Sequence, residues 1–295
     1  MFAPRSFLFV PGDSERKMAK AALSAAQALV LDLEDAVAAD RLDGARSAVR
    51  EFLNAHPDRS KQQIWVRINP IDSVKVLSDL AAVVGGRPDG VLLPKCESWK
   101  DVERLDHYLT ALEIREDVVP GSIKILPVAT ETAGSVFELG KYKESSARLH
   151  GLTWGAEDLA TAVGASANKT EDGTYRFTYQ LARSLCLLGA KAAKVCAVDT
   201  IFANFRDPDG LRNEVRNARQ DGFAAKFAIH PDQLEIINSG FTPTESEIAH
   251  AQAVVAAFSA AEGTGAAQVD GKMVDKPHLT QALQILQAAG LHPQP

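Results

Sequence analysis

Cysteine is scarce in this chain. Its 295 residues include only Cys96, Cys186 and Cys196, an odd number with no CxxC or Cys–His spacing. That pattern excludes a disulfide framework and reads as buried, reduced thiols. Long hydrophobic runs are missing as well: none approaches the roughly 20 residues that a membrane span needs. Positive charge is not in excess. The formal net charge is -6, which gives no general field for nucleic acid or an anionic membrane. A local basic pocket for a phosphorylated ligand stays compatible with that balance. Residues Met1 to Ser6 carry no secretion-signal pattern, so the cytoplasm is the expected location. There is no internal repeat and no low-complexity tract.

What is present is an average globular mixture, 46% apolar and 24% charged, in a chain long enough to bury a large core without staples. Eight short apolar runs lie at 6–10, 28–33, 64–68, 90–93, 123–128, 149–154, 193–198 and 225–229. Each is followed by a helical pattern, the first at 13–28 and the next at 39–54, 73–84 and 100–114. Continuous apolar strands suit a parallel sheet covered on both faces, and eight βα units in this length predict a (β/α)8 TIM barrel. A doubly wound sheet is the competitor. It would call for a glycine-rich phosphate loop after the first strand, and Pro11-Gly12-Asp13 is not one. The fold class expected is therefore α/β, with a barrel over 1–240. Residues 241–295 form a C-terminal helix–hairpin–helix extension, with a helix at 244–262, a loop at 263–265, a hairpin turning at Asp270-Gly271 and a last helix to about 289. That appendage is too small to stand alone.

In such a barrel the site lies at the C-terminal strand ends. The polar residues there are Glu34, Asp35, Arg67, Lys95, Glu131, Asp158, Asp199 and His230, with Arg5 just before the first strand. A carboxylate after a strand is usually a helix cap, and Asp35 and Asp199 are read that way. Glu131 and Asp158 stand on successive strands and can converge on one point. Two hard oxygen ligands without nearby histidine or cysteine suit Mg2+ rather than zinc; a cap with a salt bridge explains them equally well. Arg67 ends an apolar strand, so its guanidinium needs a carboxylate or phosphate. Glu34 is available to orient it, leaving Arg67 to hold a substrate carboxylate.

With these residues laid out, the chain resembles the citrate lyase β-subunit-like family of the HpcH/HpaI aldolase superfamily. The resemblance rests on Arg5-Ser6-Phe7-Leu8-Phe9-Val10-Pro11-Gly12, Leu31-Asp32-Leu33-Glu34-Asp35-Ala36-Val37, Val66-Arg67-Ile68-Asn69, Leu92-Leu93-Pro94-Lys95, Glu131-Thr132-Ala133-Gly134, Trp154-Gly155-Ala156-Glu157-Asp158-Leu159, Ala228-Ile229-His230-Pro231 and Gly271-Lys272-Met273-Val274-Asp275. These motifs occur in family order over nearly the whole chain.

The resemblance implies Mg2+ held by Glu131 and Asp158 and a keto-acid carboxylate held by Arg67. It implies Claisen-type cleavage or condensation of acyl-CoA or acyl-carrier thioesters by a homotrimer or hexamer. Asp275 is implied as the proton carrier, brought by the C-terminal segment to a neighbouring subunit's site. Arg5 and Lys17 are implied as contacts to CoA phosphates. Ala156 and Glu157, which precede Asp158, join Arg67 and Glu131 as substrate contacts, although Glu157 reads equally as structural. Glu34 is the further catalytic candidate and, with Asp35 and Asp270, the substitute proton carrier. A carboxylate base needs its pKa raised, and closure of a lid is expected to do that by desolvation. The alternatives are a class II aldolase acting on free hydroxy-keto acids and a non-catalytic thioester- or carrier-binding subunit. The Arg5 motif and the Asp275 segment argue against the first, and intact acids against the second.

Overall fold

Each apolar run contains a strand whose side chains are mostly buried, although the run at 193–198 becomes a strand only from Cys196, after exposed Lys194. In the computed structural model, which describes residues 3–260 and 265–291, β1 (Ser6–Pro11) leads to α1 (Glu15–Ala22), β2 (Ala28–Asp32) to α2 (Leu42–Ala55), β3 (Gln63–Arg67) to α3 (Val76–Val83) and β4 (Gly90–Leu93) to α4 (Trp99–Arg115). β5 (Lys124–Pro127) is followed by a 3₁₀ stretch, Ser135–Glu144, and β6 (Gly151–Thr153) by α5 (Ala156–Ala162) and α6 (Phe177–Ala192). β7 (Cys196–Asp199) precedes α7 (Pro208–Asp221), and β8 (Ala225–Ala228) precedes α8 (Leu234–Gly240).

The eight strands are parallel and ordered β5-β4-β3-β2-β1-β8-β7-β6. Bridges Ile125↔Leu149 and Val128↔Thr153 join the two outer strands, with Ala129 N–H donating to the Thr153 carbonyl at 2.8 Å. The sheet therefore closes on itself, as the eight βα units predict. Large side chains fill the interior. Phe7 and Trp65 meet edge to face at 5.8 Å, and Phe7 lies 5.4 Å from Phe227. Gly90 is required beside them, since a Cβ there would stand 2.2 Å from the Trp65 ring.

Two expectations need correction. The first helix stops at Ala22 rather than near residue 28, because the Ser24 hydroxyl returns to the Ala21 carbonyl at 2.6 Å and ends the helix as serine commonly does. Asp199 is no helix cap. It is buried on β7 in register with Lys226 of β8, whose ammonium it meets at 2.8 Å.

The chain divides into two compact units, 1–238 and 239–295. In the second, α9 (Glu245–Ala260), β9 (Ala266–Val269), β10 (Lys272–Asp275) and α10 (Lys276–Ala288) share a small core of Ala251, Val254, Val269, Val274, Ala282 and Leu286. Asp270 and Gly271 at the hairpin turn both have positive φ, 48° and 75°, the backbone that a tight Asp-Gly hairpin demands. The expected end of the helix at 261–262 and the loop at 263–264 lie outside the described residues. No helix among the described residues is long and apolar enough to cross a membrane.

Candidate active site

The end of β2 sets the arrangement. Asp32 is the last residue of that strand and pairs in register with Arg67, the last of β3. Adjacent in-register residues share a face of the sheet, so the two side chains meet at the mouth of the barrel. Asp32 accepts from Arg67 Nε at 2.7 Å and Nη2 at 2.6 Å, a bidentate fork. It also accepts the backbone N–H groups of Glu34 at 2.9 Å and Ala36 at 3.1 Å, which fixes the turn carrying the next two acids. Asp32 thus joins Glu34, the expected partner, in holding Arg67. Glu34 Oε2 lies 3.0 Å from Nη1 but is without a hydrogen bond among the described residues. Burial opposes the Arg67 charge, yet Asp32, Glu34 and Asp35 together raise its pKa above the ordinary value. Two of its five N–H donors are committed to Asp32, and the remainder can serve a ligand.

Lys95, just past β4, is one of the expected strand-end residues, though the sequence alone gives it no role. Its φ is 48°, uncommon for a side chain other than glycine and often a functional mark. That twist turns its backbone N–H onto Glu131 Oε2 at 2.5 Å. Its ammonium reaches Glu34 Oε1 at 2.5 Å, with Asp158 at 3.7 Å and Asp35 at 3.8 Å. One lysine thus ties the ends of β2, β4, β5 and β6 together. Glu34 is raised above the usual carboxylate range by burial, which outweighs Arg67 and Lys95.

Glu131 follows β5 and is buried. Burial, with Asp158 and Glu34 close by, pushes its carboxyl up to about 8. Gly155 leaves room for it: a Cβ there would stand 2.9 Å from Glu131 Cγ. Asp158 is half-exposed on the first turn of α5. The turn before it is anchored by Trp154, whose indole N–H donates to buried Asp199 at 2.7 Å and whose ring meets Tyr175 edge-on at 5.1 Å.

These groups surround a cavity of about 490 Å³ at the C-terminal strand ends. Arg67, Glu131, Ala156, Glu157 and Asp158 line it on the polar side; Phe9, Leu92, Val128, Ile201 and Phe227 are among the apolar walls. Thr153 also lines it, and its buried hydroxyl has no hydrogen-bond partner among the described residues. Two neighbouring carboxylates can hold a hard cation that keeps most of its waters, which is how Mg2+ is usually bound. No group of three or more His, Cys, Asp or Glu has metal-holding geometry among the described residues. A buried Glu131 beside Asp158 is a charge arrangement that a divalent cation would relieve.

Apart from Asp35, which also lines the cavity, the other expected residues fall elsewhere. Lys17 is exposed in the first turns of α1, the helix that leaves the C-terminal end of β1. Arg5 stands at the opposite end of β1, where its N–H donates to Gln27 at 2.8 Å and its carbonyl accepts from Lys226 at 2.9 Å. The structure does not bring Arg5 to the carboxylates. Asp35 is exposed beside Arg67 and Lys95, and His230 stacks on Phe205 at 4.8 Å. In the second unit Asp275 is the N-cap of α10, and its carboxylate meets His278 Nδ1 at 2.5 Å. That bond holds Asp275 below the usual carboxylate range, in the direction opposite to the one expected of a general base.

The chain is similar over most of its length to proteins of known family. The chain is 37% identical to a (3S)-malyl-CoA thioesterase of Cereibacter sphaeroides, over 97% of this chain and 94% of that protein. It is 34% identical to the citrate lyase subunit beta of Haemophilus influenzae, over 97% and 96%. Among solved structures, CitE of Mycobacterium tuberculosis in complex with magnesium, acetoacetate and coenzyme A is 33% identical with a TM-score of 0.78, covering 98% of both chains. The citrate lyase beta subunit of the same organism, complexed with oxaloacetate and magnesium, gives 33% and 0.69, covering 82% of this chain and 98% of that one. Residues 5–231 match the family model described as HpcH/HpaI aldolase/citrate lyase, and the chain belongs to that family.

Proposed function

We propose that the protein is a Mg2+-dependent carbon–carbon lyase that cleaves, or forms, a β-hydroxyacyl thioester of the malyl, citramalyl or citryl type. The products of cleavage are a keto acid and an acetyl thioester. One observation carries this reading: Arg67, Glu131 and Asp158 face a single cavity from three different strand ends. The relatives that bind magnesium with acetoacetate and coenzyme A, or with oxaloacetate, support it.

Glu131 and Asp158 would hold the cation, which when bound supplies positive charge to the oxygen where negative charge develops. Arg67, fixed by Asp32, holds the substrate carboxylate with its uncommitted N–H donors. Lys95 keeps Glu34 and Asp158 drawn inward. The apolar walls around Phe9 and Phe227 exclude water from the enolate. Asp275 gives the enolate carbon its proton, and takes a proton from the thioester methyl group in reverse. Lys17 is the basic residue assigned to a CoA phosphate; Arg5, at the far rim, is not. A homotrimer or hexamer in the cytoplasm, with Asp275 acting on a neighbouring subunit, completes the reading.

A second reading has its own support, the identity to a malyl-CoA thioesterase. Incubating the purified protein with Mg2+ and malyl-, citramalyl- or citryl-CoA, then identifying products by mass spectrometry, separates the two. A lyase releases acetyl-CoA and a keto acid. A thioesterase releases free CoA and the hydroxy acid. A class II aldolase leaves all three thioesters intact and cleaves free hydroxy-keto acids.

A further inference from the structure

The Asp275–His278 pair is built in an unusual way. Asp275 caps α10 and His278 is the third residue of that helix, so the two side chains face each other as a capping box. His278 Nδ1 lies 2.5 Å from Asp275 Oδ1 and 3.2 Å from the Asp275 backbone nitrogen. A single ring nitrogen cannot accept the backbone N–H and donate to the carboxylate at once. The 2.5 Å separation needs one proton between oxygen and nitrogen. With the proton on oxygen, Nδ1 accepts from both partners; with it on nitrogen, Asp275 is a carboxylate and the backbone contact is given up. Both arrangements use the same two atoms and differ only in where the proton sits. Both side chains remain about half-exposed, so the imidazole can exchange protons with water through Nε2.

We infer that His278 is a positioning residue that supplies and recovers the proton Asp275 delivers. This rests on the reading of Asp275 as the proton carrier. When the carbon–carbon bond breaks, its electron pair passes into the thioester enolate. That pair then forms a C–H bond with the proton of the Asp275 carboxyl group. The substrate's β-hydroxyl proton leaves to solvent as the bond breaks; Nδ1, which carried no proton while the carboxyl group did, takes one up from solvent and passes it to the carboxylate left behind. Condensation runs the same transfers backwards. The other titratable groups among the described residues of this unit are Glu245, Glu247 and His250 on α9, Asp270 and Lys272 on the hairpin, and Lys276 beside the cap. His250 lies 3.8 Å from Asp270, and His278 is the group hydrogen-bonded to the Asp275 carboxylate.

The test uses the full-length protein with Mg2+ and malyl-, citramalyl- and citryl-CoA, comparing wild type with Asp275→Asn, His278→Ala and His278→Gln. Glutamine at this position keeps the reach back to the cap N–H but carries no transferable proton. Both His278 variants should lose roughly 100-fold in kcat, the scale of one acid–base group, with KM for the thioester unchanged. Added imidazole should restore His278→Ala and leave Asp275→Asn inactive. Restoration by glutamine alone, without rescue by imidazole, would mean that His278 is only a helix cap and would overturn the inference. Full activity of both His278 variants overturns it as well, while an inactive Asp275→Asn leaves the proton-carrier reading standing. An active Asp275→Asn, or a wild type that cleaves none of the three thioesters, removes that reading and this inference together.

Discussion

Arg67 and Asp32 show how much of this site is decided by single residues. The guanidinium was expected to need an anionic partner; the carboxylate directly across the β2–β3 register hydrogen-bonds it, and Glu34, two residues on, adds an ion pair. The signal was in the sequence: Asp32 occupies the last inward position of an otherwise apolar run, two beyond Val30. Lys95 was less legible, because a left-handed φ of 48° leaves no mark in the residue type. Removing one member of a buried pair leaves the other charge unpaired, at a cost of about 3–5 kcal/mol. Asp32→Ala should accordingly lower the unfolding free energy by about 3 kcal/mol in urea titrations. It should also weaken pyruvate or oxaloacetate binding at least roughly tenfold. Unchanged keto-acid affinity in a folded variant would mean that Asp32 does not position Arg67.

At the scale of elements, the strands were readable because runs buried on both faces are continuous in apolarity. The two short helices α5 and α8 were not, since seven residues each give too little periodicity to detect. The β6 segment shows a cost of this packing. His150 lies within 6.5 Å of the Phe7 ring and 5.0 Å of the Trp65 ring. Burial, and then Lys124, lowers its pKa to about 4. The unfolded chain protonates this histidine near pH 6.5, whereas the folded chain holds it neutral down to about pH 4. In that window the unfolded state binds the extra proton. This group's stabilising share is therefore complete above pH 6.5, falls on acidification, and is flat below about 4. Between pH 7 and 4.5 the wild type should lose about 2 kcal/mol more stability than His150→Leu. Equal losses in urea titrations at the two pH values would refute the assignment.

At the scale of the whole molecule, a barrel carries the carboxylates and a separate small unit carries Asp275. The break between the two units is visible in the sequence, since the Ala-rich helix, the Asp-Gly hairpin and the last helix all follow the eighth βα unit. The assembly was not, because an interface needs no periodicity in sequence. If each site joins one subunit's barrel to a neighbour's Asp275, mixed oligomers of Asp158→Ala and Asp275→Asn should regain activity that neither variant has alone. Random equal mixing rebuilds roughly a quarter of the sites in a cyclic oligomer. Mixing without recovery, after exchange of subunits is verified by native mass spectrometry, would assign Asp275 to its own chain.

The central claim is that Glu131 and Asp158 hold the Mg2+ on which cleavage depends. Calorimetric titration of Mg2+ into the wild type and into Asp158→Ala, each with and without oxaloacetate, tests it most directly. One site is expected in the wild type, tightened by oxaloacetate, and no binding in Asp158→Ala at the same concentrations. Mg2+ binding in Asp158→Ala equal to that of the wild type would contradict it.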